Sequence, residues 1–152
     1  MIKIKDVITE IIRRVPGVVG VILLDIDGIP IEITGQFDMK PEDLGALLAA
    51  CYNSYGQVGM ELSQKLDSII VEFDNLKLCQ NSMPRGLLTI IASKESYLGM
   101  IRLEAKRAIE QITKVMGKTQ QARKEIMEAN KLRMPDDKQI EDILSKFKEE
   151  FE

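Results

Sequence analysis

The sequence predicts an α/β protein of the α+β kind. The expected fold is a three-layer α-β-α sandwich around one five-stranded, mainly antiparallel sheet, with strand order 2-1-5-4-3 and element order α-β-β-α-β-β-β-α. Three observations carry this. Val18 to Leu24 and Leu87 to Ala92 are short unbroken apolar runs, which suit strands covered on both faces. Asp25-Ile26-Asp27-Gly28 and Pro84-Arg85-Gly86 are turn signals that bend the chain back between neighbouring strands. Three longer segments repeat apolar residues at steps of three and four, the period of a helix lying on a core.

Lys3 to Arg14 sets Ile4, Val7, Ile8, Ile11, Ile12 and Val15 on one helical face, and Pro16-Gly17 stops the helix. The run from Val18 follows as the first strand. Asp27-Gly28 turns it into Ile29 to Ile33, which Pro30 restricts to a sheet edge because proline has no N–H to give a neighbour. Gly35 to Lys40 is a loop, and Pro41 suits the first turn of the second helix. Asp67 to Asp74 alternates, with Ile69, Val71 and Phe73 on one side and Ile70, Glu72 and Asp74 on the other, as expected of a half-buried edge strand. Leu76 to Met83 and Leu87 to Ala92 complete the sheet. Ser96 is placed to cap a third helix that carries Leu98, Ile101, Ala105, Ala108, Ile109, Ile112, Val115 and Met116 on one face.

The second helix, Pro41 to Leu66, has too many apolar faces for a lone domain. Leu44, Leu47, Leu48, Cys51, Tyr55, Val58, Leu62 and Leu66 form one stripe, expected to lie on the core. Beside it runs a stripe of small residues, Gly45, Ala49, Gly56, Gly59 and Ser63, with Ala46 and Ala50 alongside. No charged residue occurs from Leu44 to Met60. Glycine within a helix costs up to ~1 kcal/mol against alanine, so the small stripe is expected to be closely covered, by self-association or by a partner, with burial on both sides within a single domain as the alternative. Asn53, Ser54, Gln57 and three glycines argue against a membrane span.

Composition narrows the function. With 45% hydrophobic and 30% charged residues the 152-residue chain reads as one soluble domain with an appendage. It contains no histidine, which excludes an imidazole base, a Ser-His or Cys-His pair and a His-containing zinc site. A formal charge of -3 argues against a nucleic-acid footprint. Cys51 and Cys79 match no ligand spacing and read as reduced core thiols. Met1-Ile-Lys-Ile-Lys-Asp leads straight into amphipathic sequence without the apolar stretch of a signal peptide, so a cytoplasmic protein is expected. Asp25, Asp27 and Gly28 resemble the start of a calcium loop, but Pro30 and Gln36 stand where that loop needs glycine and glutamate. There is no phosphate-binding G-x-x-x-x-G-K-[ST] run. Arg13, Arg14, Arg102, Lys106 and Arg107 read as solvated helical faces before phosphate clamps. No catalytic, cofactor-binding or metal site is expected.

The order of elements, the GVVGVILLDIDGIPIE hairpin, the uncharged second helix rich in small residues and the YLGMIRLEAKRAIEQI opening of the third helix resemble a Roadblock domain, the dynein-light-chain type related to longin and profilin-like domains. The resemblance covers Lys3 to about Gly117. It divides the chain into a Roadblock-like domain, residues 1–117, and a helical C-terminal extension, residues 118–152. It implies a dimer, with itself or with another Roadblock-type chain, in which third strands pair and second helices pack together. The dimer interface is then expected at Gly45, Ala49, Tyr52, Gly56, Ile70 and Glu72. It also implies a non-catalytic regulator or scaffold for a small Ras-like GTPase, with Ala46, Ala50, Asn53 and Gln57 as the partner-binding residues. The alternatives are a structural subunit of a larger complex without effect on nucleotide turnover, or a small-molecule sensor.

In the extension, Lys118 to Leu132 carries only Ala122, Ile126 and Ala129 as an apolar set and either prolongs the third helix or forms a semi-rigid spacer. Met134-Pro135-Asp136-Asp137 is a break. Ile140, Ile143, Leu144, Phe147 and Phe151 then predict a short amphipathic helix that packs back on the protein or docks into a partner.

Overall fold

The two apolar runs lie side by side in the middle of the sheet. In the computed structural model, which describes residues 2–133, 141–142, 144–146 and 148, the elements are α1 (Ile4–Arg14), β1 (Val18–Asp25), β2 (Pro30–Gly35), α2 (Pro41–Glu61), β3 (Ser68–Glu72), β4 (Leu76–Met83), β5 (Gly86–Ser93) and α3 (Leu98–Arg133). The strands form one sheet of order β2-β1-β5-β4-β3, and every neighbouring pair is antiparallel. The fold class and strand order expected from the sequence are those observed. Pro30 stands at the start of an edge strand, where its missing donor leaves no ladder bond unmade.

Successive strand residues point to opposite faces, so the register sorts the core. Ile22, Thr89 and Gln80 align across β1, β5 and β4, and this face, with Leu24, Leu78 and Leu87, packs beneath Leu48 of α2. The opposite face carries Val21, Leu23, Leu88, Ile90 and Cys79, all buried. It is covered by α1, which buries Val7, Ile8 and Ile11, and by the first part of α3, which buries Ile101, Ala105, Ala108 and Ile112. Arg14 joins the two helices through Glu104 at 3.7 Å.

The β1–β2 turn is built by Asp25, whose Oδ1 accepts from the Asp27 and Ile29 N–H groups, both at 2.9 Å, while Gly28 takes the left-handed conformation at φ +84. The carboxylate therefore serves the turn, as the sequence suggested. Ser96 departs from expectation. Its hydroxyl donates to the Pro16 carbonyl at 2.8 Å, tying the start of the α3 segment to the α1–β1 junction, and the helix opens two residues later at Leu98.

Met1–Val115 and Met116–Glu152 are separate compact units. The helix expected to be prolonged or replaced by a spacer after Lys118 continues to Arg133. Of the predicted terminal stripe, Ile140, Ile143, Phe147 and Phe151 lie outside the described residues, and Leu144 is helical and exposed. No described helix is long and apolar enough to cross a membrane.

Candidate functional site

The seat of α2 cuts across the two stripes read from the sequence. Its buried residues are Gly45, Leu48 and Ala49, with Leu44 and Tyr52 half-buried against the same cluster. A Cβ on Gly45 would lie 2.5 Å from the Gly28 carbonyl oxygen and 2.9 Å from the Leu24 Cδ2. Gly28 in turn approaches Ala49, where an added Cβ would stand 2.8 Å from the alanine Cβ. Thus the close cover expected from outside is supplied at Gly45 and Ala49 by the chain's own β1–β2 turn. At Gly59 the reason is also internal, since an added Cβ would meet the Gln64 carbonyl at 2.8 Å, where the helix ends and Ser63 turns left-handed at φ 55. Of the glycines in that stripe, Gly56 alone has open space before it among the described residues.

The stripe expected on the core is split: Leu48 is buried and Leu44 half-buried as expected, and most of the rest is left outside. Leu47 is 58% exposed, Tyr55 56%, Val58 52% and Leu62 67%, and Cys51 is exposed, not a core thiol. The geometric cause is the hairpin turn: seating Gly45 and Ala49 on Gly28 turns Leu47, Tyr55 and Val58 away from the sheet while Leu44 and Leu48 stay on it. Buried Gln80 holds this orientation, its Nε2 donating to the Leu48 carbonyl at 3.1 Å. Large apolar side chains lose about 1.5–3 kcal/mol each when left in water instead of being buried, and four in one row on a helix form the kind of patch that marks an interaction site.

The sheet ends beside an unpaired edge. Among the described residues β3 pairs only with β4, and its alternation is weaker than expected: Ile69 and Ile70 are half-buried, while Val71 and Phe73 are exposed. Glu72 is exposed. A row of free N–H and C=O groups next to apolar side chains is a template for another strand.

The expected partner residues lie elsewhere on α2. Ala46, Ala50, Asn53 and Gln57 are all exposed. Asn53 shares a small recess of about 50 Å³ with Asp25, Ile26, Ala49, Tyr52, Gly86 and Leu87, so this flank abuts the hairpin tip, where Ile26 and Ile29 are both exposed. Sequence reasoning did not include those two isoleucines. Their signal was present, since two large apolar residues flank a turn that has no core side.

Among the described residues no cluster of three or more His, Cys, Asp or Glu side chains could hold a metal ion.

Solved structures share this fold. The Roadblock/LC7 domain from Streptomyces avermitilis is 17% identical, with a TM-score of 0.70 over 74% of this chain and 96% of that one. Myxococcus xanthus MglB is 22% identical, with a TM-score of 0.72 over 76% and 95%. The gliding protein MglB from Thermus thermophilus is 18% identical, with a TM-score of 0.62 over 70% and 83%. A comparison with curated proteins finds no match. The sequence profile of the Roadblock/LC7 domain matches residues 4–92, from α1 through the last strand of the sheet just described, and the chain belongs to the Roadblock/LC7 domain family.

Proposed function

We propose that this protein is a non-catalytic, dimeric regulator or scaffold that binds a small Ras-like GTPase. The observation that carries the reading is the pair of uncovered features on one Roadblock domain: the row Leu47, Cys51, Tyr55 and Val58 on α2 and the unpaired edge of β3. Family membership supplies the rest, since the resemblance implies domains that dimerise through these two elements and act on small GTPases. In a homodimer the second copy offers the same apolar row and the same strand edge, so one interface covers both. Gly56, with nothing before it, is the point on α2 where a second helix approaches most closely, whereas Gly45 and Ala49 shape the interface from beneath through the seat of α2. Tyr52, Ile70 and Glu72 flank that seam.

The GTPase surface is assigned to the other flank of α2, Ala46, Ala50, Asn53 and Gln57, extended by Ile26 and Ile29 at the hairpin tip. A partner that favours one conformation of a switch segment shifts its population, and a binder can therefore regulate without donating a catalytic group. The test is titration of the purified chain with a panel of small Ras-like GTPases, each loaded with GDP or with a non-hydrolysable GTP analogue. Binding that prefers one nucleotide state and falls on changing Asn53 and Gln57 to Glu supports the reading. Binding to neither form of any GTPase leaves the structural-subunit role in its place. A cytoplasmic location and the absence of enzymatic activity belong to the same proposal.

A further inference from the structure

Arg85 holds a backbone conformation that arginine rarely adopts. Met83 and Gly86 pair across β4 and β5, so Pro84 and Arg85 make the turn between them, and Arg85 is left-handed at φ 63. Turns place glycine or asparagine at such a position, because any larger residue crowds its own Cβ against the backbone there. Glycine stands next door for a packing reason, since a Cβ on Gly86 would lie 2.6 Å from the Leu24 carbonyl oxygen. The left-handed position itself carries an exposed arginine. Strained residues of this kind persist where their surroundings fix them, and they gather at binding sites. Pro84 and the Met83–Gly86 pair fix this one.

The place of the turn is the second observation. Gly86 pairs with Asp25 and lines, with Asp25, Ile26, Tyr52 and Asn53, the recess beside α2. Pro84, on the other side of Arg85, lines with Lys65, Leu66 and Asp67 a cleft of about 490 Å³ just past the C-terminal end of α2. Arg85 therefore stands between two concavities, at the end of the sheet that also presents Asn53 and Ile26. The helix brings no charge to this surface, because no charged residue occurs from Leu44 to Met60. The Asp25 Oδ1 is engaged by the Asp27 and Ile29 N–H groups of its own turn.

We infer that Arg85 is a specificity-determining residue of the partner surface, where its guanidinium grips a carboxylate on the polypeptide of the bound GTPase. The inference rests on the GTPase-binding reading above. A planar guanidinium matches a carboxylate with two parallel donors, and the neutral flank of α2 with the exposed isoleucines of the hairpin tip supplies the apolar contact around that pair. The turn gives up stability to hold an arginine at this point.

Arg85→Asn separates binding from folding, because asparagine tolerates the left-handed conformation better than arginine does. The probe is the GTPase that binds the wild-type chain in the nucleotide-state panel, loaded in its preferred state. The variant should melt about 1–4 °C higher than the wild type and bind at least about tenfold more weakly, the loss expected for a charge-assisted pair. Its affinity should also depend less on salt, and Arg85→Lys, which keeps the charge without the planar fork, should fall between the two. Unchanged affinity in Arg85→Asn would overturn the inference and leave GTPase binding standing. Unchanged affinity with altered GTP hydrolysis would overturn it in favour of a contact to the nucleotide phosphates. A wild-type chain that binds no GTPase of the panel overturns the reading and this inference with it.

Discussion

Gly28 and Ala49 are in contact across the β1–β2 turn and α2, closely enough that a single added carbon on the glycine would stand 2.8 Å from the alanine Cβ. Gly28 is also left-handed at φ +84. Gly28→Ala therefore meets two costs, ~1–2 kcal/mol for the backbone conformation and ~1–3 kcal/mol for overpacking. We expect a loss of roughly 2–5 kcal/mol, read as a fall in melting temperature of roughly 4–20 °C for a chain of this size. A loss below ~1 kcal/mol would show that α2 is not seated by this contact.

The same contact changes how dimerisation is tested. Ala49→Arg would force a charge under the hairpin turn and unseat α2 within its own domain, so it cannot report on association. Leu47→Glu with Tyr55→Glu changes two exposed positions on the outer row. Light scattering at micromolar concentration should give the wild type near twice 17.2 kDa and the variant near 17.2 kDa, with the same circular dichroism spectrum. A wild-type mass of one chain sinks the dimer.

How far these features were legible in the sequence depends on which interactions set them. The central strands could be read because β1 and β5 are covered on both faces, and a strand buried on both sides shows as an unbroken run of Val, Ile and Leu where a half-solvated one alternates. The strand order followed from the turns and from Pro30. The faces of α2 could not be read in the same way. Periodicity showed two stripes separated by less than half a turn, but which one meets the sheet depends on the Gly28 approach and on the Gln80 tether to Leu48, contacts between residues 21 and 32 positions apart in sequence. The bulkier stripe was the natural choice for the core, and Leu47, Tyr55 and Val58 lie outside. Ser96 was misread for a related reason: a cap is a local expectation, and its hydroxyl is taken by Pro16, 80 residues away.

Thr89 carries a prediction of opposite sign. It is fully buried between Ile22 and Gln80, and its hydroxyl has no hydrogen-bond partner among the described residues. An unsatisfied buried polar group costs ~1–3 kcal/mol. Thr89→Val keeps the shape and removes that group, so denaturant unfolding should show a gain of about 1 kcal/mol with an unchanged slope. A loss of similar size would mean that the hydroxyl is satisfied by a bound water.

Glu10 sets the acid response of α1. Hydrogen bonds from Arg13 and then Arg14 draw its carboxyl from the ordinary 4.5 down to about 2. A carboxyl depressed in the folded state contributes stability that is present above its unfolded value and is lost as pH falls through the folded one. Wild type should therefore lose more stability than Glu10→Gln between pH 4.5 and about 2, and the two curves should run parallel above pH 5. Parallel curves down to pH 2 would show that the ion pairs are broken in solution. The group is exposed, and added salt should shrink the difference.

The two cysteines give a footprint of the proposed dimer. Burial pushes the Cys79 thiol above its usual 9.0, against smaller opposing pulls from the Asn81 hydrogen bond and the Arg102 charge, so this sulfur is both hidden and protonated near neutral pH. Cys51 is exposed in the middle of the apolar row on α2. Alkylation by iodoacetamide depends on thiolate and on access. In the Leu47→Glu, Tyr55→Glu variant Cys51 should therefore label readily and Cys79 should react only on unfolding, slower by at least about tenfold. In the wild type at micromolar concentration Cys51 should also be protected, and dilution toward the dissociation constant should restore its rate to that of the variant. Site-resolved mass spectrometry separates the two sulfurs. Protection of Cys51 that persists at every dilution and in the variant would place its cover within the chain itself and remove the α2 row from the interface.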